Sequence, residues 1–79
     1  MDWRILIEQN PKILNGKPVI KGTRLSVELL LEDMANGASE RDILEAYPFL
    51  NQDQIRAALA FAAASLAAER VVFSGSVGS

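Results

Sequence analysis

Neither cysteine nor histidine occurs in the 79 residues. Without thiolates or imidazoles the chain can form no disulfide, and zinc and most transition metals lose their usual ligands. The same absence removes the side chains that most often serve as base or nucleophile near neutral pH. Ser26 and Ser39 read as helix caps, Ser65 falls inside a helical pattern, and the other serines lie in the tail. Glu32 and Asp33 are the only adjacent carboxylates, and neighbours on a helix point in different directions. Neither a catalytic residue, a metal nor a cofactor is expected, so the chain does not read as an enzyme. Long apolar runs are also missing. The longest, Ala57 to Ala68, is broken by Ser65 and is too short and alanine-rich to span a bilayer. With Asp2 directly after the first Met, no secretory leader is read, and the expected compartment is the cytoplasm.

What is present fits one small globular domain. Hydrophobic residues make up 49% of the chain, too many for a disordered segment. A core of this size supplies only a few kcal/mol of net stability, so a second subunit is expected to add to it. The net charge of −2 hides an asymmetry. Arg4, Lys12, Lys17, Lys21 and Arg24 face only Asp2 and Glu8 in residues 1–25, whereas carboxylates outnumber cations in residues 26–79. Such an arm can meet a polyanion, pair with the acidic body of a second subunit, or simply stay solvated.

Trp3 to Glu8 is short, apolar and partly β-branched, and reads as a strand ended by Asn10-Pro11. Asn15-Gly16 accepts positive φ at both positions and marks a hairpin turn, with Pro18-Val19-Ile20 as the return strand. Gly22 then bends the chain, Thr23 is placed to bond turn amides, and Arg24 to pair with Glu28. The Gly16 to Gly22 segment has neither the Walker nor the dinucleotide spacing, so it is not read as a phosphate cradle.

Three helix starts follow. Ser26 caps the first, with Leu25 and Leu30 as a staple and Gly37 as its left-handed end. Ser39 caps the second, with Asp42 at the capping-box position and Pro48 as terminator. Asn51 and Gln54 box the third, stapled by Leu50 and Ile55. The fold class is therefore mainly α: a three-helix helix-turn-helix bundle, homeodomain-like or winged-helix-like, with a short N-terminal β-hairpin or arm. The domain is expected over residues 1–73, with the arm in 1–25 and a flexible tail in 74–79.

Two candidate surfaces emerge. In a helix-turn-helix the first turn of the last helix meets base edges, which nominates Asn51, Gln52, Gln54 and Arg56 for DNA contact, with Lys21 and Arg24 from the arm. The last helix is also apolar nearly all round. Ile55, Leu59, Ala62 and Leu66 are expected to fill the core, leaving Ala57, Phe61, Ala64 and Ala68 for a protein interface such as a homodimer.

Asn10-Pro11-Lys12-Ile13, followed by Gly16-Lys17-Pro18-Val19-Ile20-Lys21-Gly22-Thr23-Arg24 and Leu25-Ser26-Val27, resembles a small bacterial and archaeal family, domain of unknown function 433 (DUF433). Asn36-Gly37, Ser39, Tyr47-Pro48 and the run from Asp53 to Ala57-Ala58-Leu59 match its later features. The resemblance implies a homeodomain-like or winged-helix-like fold and a VapB-like antitoxin of a type II toxin-antitoxin system. Such a protein binds a PIN-like ribonuclease toxin and autoregulates by binding DNA as a dimer. Arg70 is then placed to reach the toxin's acidic metal site. The alternative is a protein-interaction module that does not touch DNA.

Overall fold

Three side chains that accept from nearby backbone amides start the three helices of the computed structural model, which describes residues 2–69. Ser26 Oγ accepts from the Leu29 amide at 3.0 Å and opens helix α1 (Val27–Ala35). Ser39 and Asp42 bond each other's amides reciprocally, at 2.8 and 3.0 Å, and open α2 (Glu40–Ala46). Asn51 and Gln54 do the same at 2.7 and 2.9 Å before α3 (Gln52–Glu69). Each helix begins with orphan amides, and these short bonds satisfy them where the helix cannot. The residues expected as staples, Leu25 and Leu30, Leu50 and Ile55, are all buried in one core cluster. At the end of α1, Gly37 takes φ +104°. The Gly37 and Ala38 amides then bond the Met34 and Asp33 carbonyls, a Schellman ending.

The N-terminal arm departs from expectation at both ends. Trp3–Ile5 is a 3-10 turn, because Asp2 caps it by accepting from the Arg4 amide at 3.1 Å. Only Ile7–Glu8 is strand (β1), paired antiparallel with Val19–Ile20 (β2) in the register Ile7 to Ile20 and Glu8 to Val19. The Asn15-Gly16 dipeptide does take positive φ, +58° and +86°, but not as a two-residue hairpin turn. It sits in a 3-10 turn, Leu14–Gly16, midway along the long link between the strands. Asn10 turns the chain earlier, its Oδ1 accepting from the Lys12 amide at 2.9 Å, so Ile13-Leu14 never pairs as a strand.

A second tight turn folds the chain back onto β2. Gly22 takes φ +82° with no atom near its missing Cβ, so the backbone angle and not crowding requires glycine there. The Thr23 hydroxyl donates to the Ile20 carbonyl at 2.8 Å and accepts from the Leu25 amide at 3.0 Å. Val19 then bridges Ser26, through Ile20 amide to Leu25 carbonyl and Val27 amide to Pro18 carbonyl, both 2.9 Å.

The core gathers Ile7, Ile20, Leu25, Val27, Leu30, Ile43, Leu50, Ile55, Ala57 and Ala58. Ile20, Leu30, Ile43, Ile55 and Val19 are its largest fully buried side chains. Among the described residues no buried side-chain polar atom lacks a partner, and no helix is long and apolar enough to cross a membrane. The described chain is thus mainly helical, three helices preceded by a two-stranded antiparallel hairpin.

Helix α3 is rotated relative to the expected core stripe. Leu59 and Leu66 are 45% and 69% exposed, whereas Ala57 and Ala58 are fully buried. Phe61 is half-buried and packs on the core. The cause lies in the N-terminal 3-10 turn: Trp3 meets the Phe61 ring edge-on, with centroids 5.0 Å apart, and this draws the Phe61 side inward.

Two outcomes test this account. Ile20→Ala should lower unfolding free energy by about 2–5 kcal/mol, read by urea unfolding with far-UV circular dichroism. A smaller loss would mean that the β2 clamp is not central to the core. The Ser39 amide, and then its hydroxyl, hold the Asp42 carboxyl below the usual carboxylate range. Its contribution to stability is therefore full above the unfolded value of about 4 and fades as pH falls through the lower folded value. Asp42→Asn should remove that part of the acid sensitivity, measured as the midpoint of unfolding against pH.

Candidate functional site

A groove opens in the surface between α1 and α3. Val27, Leu31 and Ala35 recur at every fourth position along α1 and form one wall. Phe61, Ala62, Ser65 and Leu66 of α3 form the other, and Pro18 closes one end. The groove has a volume of about 530 Å³. It stays open because Ala35, Ala62 and Ser65 are too small to fill the space between the two helix axes. Glu28 and Glu32, one turn apart, stand on its α1 rim. Lys17 Nζ lies 3.3 Å from Glu28 Oε1. Both side chains are exposed, so the pair contributes about 0–1 kcal/mol and can exchange for another cation. The lining suits an apolar anchor flanked by positive charge. Its one side-chain hydroxyl is that of Ser65, and the rest of the lining is hydrocarbon and the two carboxylates.

The residues nominated for DNA contact divide into two groups. Asn51 and Gln54 spend their side chains on each other's backbone amides at the start of α3. Gln52 Nε2 donates to Glu40 Oε1 at 2.6 Å. Reading a base with any of the three would first break these bonds. Arg56, Lys21 and Arg24 are exposed, and among the described residues none has a carboxylate within ion-pair distance. The expected pairing of Arg24 with Glu28 is not formed, because Lys17 reaches Glu28 first from the turn after Gly16.

The residues nominated for a protein interface do not make one outward face. Ala57 is fully buried, Phe61 lies against Trp3 and floors the groove, and Ala64 is half-buried. Ala68 is exposed, and Arg70 lies outside the described residues. The outward face of α3 instead includes Leu59 and Ala63, and Leu66 is exposed at the groove. The groove residues Leu31, Ala35, Glu28 and Glu32 were not nominated for a binding surface from sequence. Their signal was the row Val27-Leu31-Ala35 with a glutamate one position beyond each of its first two members.

Trp3 is the only tryptophan, so its emission reports the contact that orients α3. Phe61→Ala should shift Trp3 emission to longer wavelength in the folded protein, as the indole gains water. Unchanged emission with native circular dichroism would mean that Trp3 is held by something other than Phe61.

Comparison with known proteins places this geometry in a family. The chain is similar to the uncharacterized protein y4eO of Sinorhizobium fredii, with 39% identity over 71 residues, which cover 89% of this chain and 32% of that protein. The chain thus spans well under half of that relative's length. It also resembles the crystal structure of a DUF433 member protein from Anabaena variabilis, with a TM-score of 0.75 at 25% identity, covering 80% of this chain and 62% of that one. The model of the family described as "Protein of unknown function (DUF433)" matches residues 7–62, from β1 to the α3 wall of the groove. The chain belongs to the DUF433 family.

Proposed function

We propose that this chain is a non-catalytic, cytoplasmic antitoxin-type module that holds a PIN-like ribonuclease by seating one of its segments in the α1–α3 groove. The observation that carries this proposal is an open apolar floor bordered by two carboxylates, Glu28 and Glu32. A nuclease that binds RNA presents a cationic surface to the polyanion. An acidic rim is complementary to such a surface, and the apolar floor supplies the desolvated anchor on which affinity usually depends. Glu40, Asp42, Glu45 and Asp53 add negative charge along α2 and the start of α3.

Autoregulation by DNA binding is a second activity, favoured by a separate observation. Arg56, Lys21 and Arg24 are exposed cations without carboxylate partners among the described residues. Contact through these side chains reaches phosphates and leaves the α3 cap intact. Such binding is weakly sequence-selective and steeply salt-dependent.

Both activities are open to direct measurement. Purified chain added to a PIN-like ribonuclease encoded beside it should inhibit RNA cleavage. Leu31→Lys should raise the inhibitory concentration by about 100-fold, the equivalent of about 2.7 kcal/mol. Charge reversal of Glu28 and Glu32 together should weaken inhibition most at low salt. Full inhibition by folded Leu31→Lys would overturn the groove as the binding site. Fluorescence anisotropy against upstream DNA should show affinity falling with salt and with Arg56→Ala. Affinity unchanged by Arg56→Ala, Lys21→Ala and Arg24→Ala together would remove the DNA-binding activity.

A further inference from the structure

Both walls of the α1–α3 groove have one period. Val27, Leu31 and Ala35 follow every fourth residue along α1, and Phe61 with Ser65 and Ala62 with Leu66 do the same along α3. Each wall is a ridge with side chains about 6 Å apart, the spacing at which a further helix packs its own rows. An extended segment would find no strand edge to pair with. Val19 and Ile20 are already bonded along both edges, and Pro18, at the end of the groove, lacks an amide and gives its carbonyl to the Val27 amide. Buried on a hydrocarbon floor, such a segment would leave amides unpaired, whereas a helix bonds them internally.

The rim repeats that period in charge. Glu28 and Glu32 stand one turn apart beside the α1 wall, and both are exposed. Glu28 is held by Lys17 at 3.3 Å, and among the described residues Glu32 has no cation within ion-pair distance. Leu66 is 69% exposed although it lines the groove, so it gains most from being covered. From these features we infer that the segment seated in the groove is a short, cationic, amphipathic helix of the partner. Its apolar side chains, at i, i+4 and i+7, meet the floor, and Lys or Arg four residues apart run along one flank. Val27 to Ala35 spans about 12 Å along the α1 axis, so two to three turns of the partner helix fill the groove. The two cations meet Glu28 and Glu32, and the one at Glu28 displaces Lys17.

The inference rests on the reading of the groove as a partner site and adds the partner's conformation and charge register. An extended loop in the groove would satisfy that reading and not this one. The probe is a synthetic peptide of about fifteen residues with leucine at i, i+4 and i+7, two lysines four residues apart, and alanine and glutamine elsewhere. It carries no aromatic residue, so Trp3 reports on the chain alone. Phe61 both touches Trp3 and lines the groove, so binding should change Trp3 emission. Circular dichroism of the mixture should show more helix than the sum of its parts.

A proline at the centre of the peptide should weaken binding at least about tenfold. Leu31→Lys should weaken it as much, and Glu32→Lys, at an exposed position, should weaken it without touching the floor. Lys17→Ala should tighten it about threefold by freeing Glu28, whereas Lys12→Ala, which removes the same charge outside the lining, should not. Absence of saturable binding would overturn the inference, as would binding indifferent to Leu31→Lys and Glu32→Lys. Equal binding of the proline peptide would mark an extended occupant, and self-association of the chain abolished by Leu31→Lys would mark a second copy; either overturns the helix. Equal binding of the two peptides, with ribonuclease inhibition still lost in Leu31→Lys, would remove the helix and keep the groove as the nuclease site. Helix-dependent binding with inhibition untouched by Leu31→Lys would keep the helix site and remove the nuclease.

Discussion

Val19 and Ile20 are hydrogen-bonded along both edges and exposed on neither face. On one edge they pair with Ile7 and Glu8, and on the other the chain returns through Leu25 and Ser26. Two residues thus join the N-terminal arm to the first turn of α1. The joining matters because the arm is otherwise short of cohesion: its strands are two residues long, and an isolated hairpin of that kind is not stable in water. Buried against Leu30, Ile43 and Ile55 in the same core, it becomes part of the helical body. Pro18 fits this role, since a residue that lacks an amide can still present its carbonyl, which here receives the Val27 amide.

The string Gly16-Lys17-Pro18-Val19-Ile20-Lys21-Gly22-Thr23-Arg24 gains its physical meaning from that clamp. Gly22 supplies the positive φ of the return turn, and Thr23 bonds the carbonyl before the turn and the amide after it. Gly16 supplies another positive φ in the turn that aims Lys17 at Glu28. Most of the string is thus scaffold. It places Pro18 at one end of the groove and Ser26 where it can cap the helix that forms the groove's wall. Arg24 takes no part in this scaffold among the described residues, which separates it from the glycine and threonine that precede it.

How much of this was legible in the sequence follows the range of each interaction. The three caps and the glycine ending of α1 each depend on residues within a turn or so of one another, and each forms where the side chains predict. The strand expected at Trp3 and the hairpin turn expected at Asn15-Gly16 were local signals overruled by other local signals. Asp2 caps the first segment into a 3-10 turn, and Asn10 bends the chain before Ile13-Leu14 can pair. The inward face of α3 was not legible, because Leu59 and Phe61 are equally apolar and the helix has few polar residues past Arg56 to mark an outside. What decides the face is Trp3, more than fifty residues away in sequence, stacked edge-on against Phe61. The groove was hidden for the same reason, since it exists only in the space between two helices.

Alanine is what gives α3 three different surfaces. Ala57 and Ala58 are fully buried, and their small side chains let α3 pack closely on the core without a polar group to satisfy. Ala62, next to Phe61, stops short of α1 and leaves the groove as space. Ala63, on the outward side, gives a low point between Leu59 and Leu66. A helix built from larger side chains would have filled the groove and thickened the outer face, gaining burial within the chain and losing the concave surface. The composition that made the helix look apolar all round thus does not bury it all round. It divides one helix among a core, a groove rimmed by Glu28 and Glu32, and an outer ridge, with Arg56 exposed near its start.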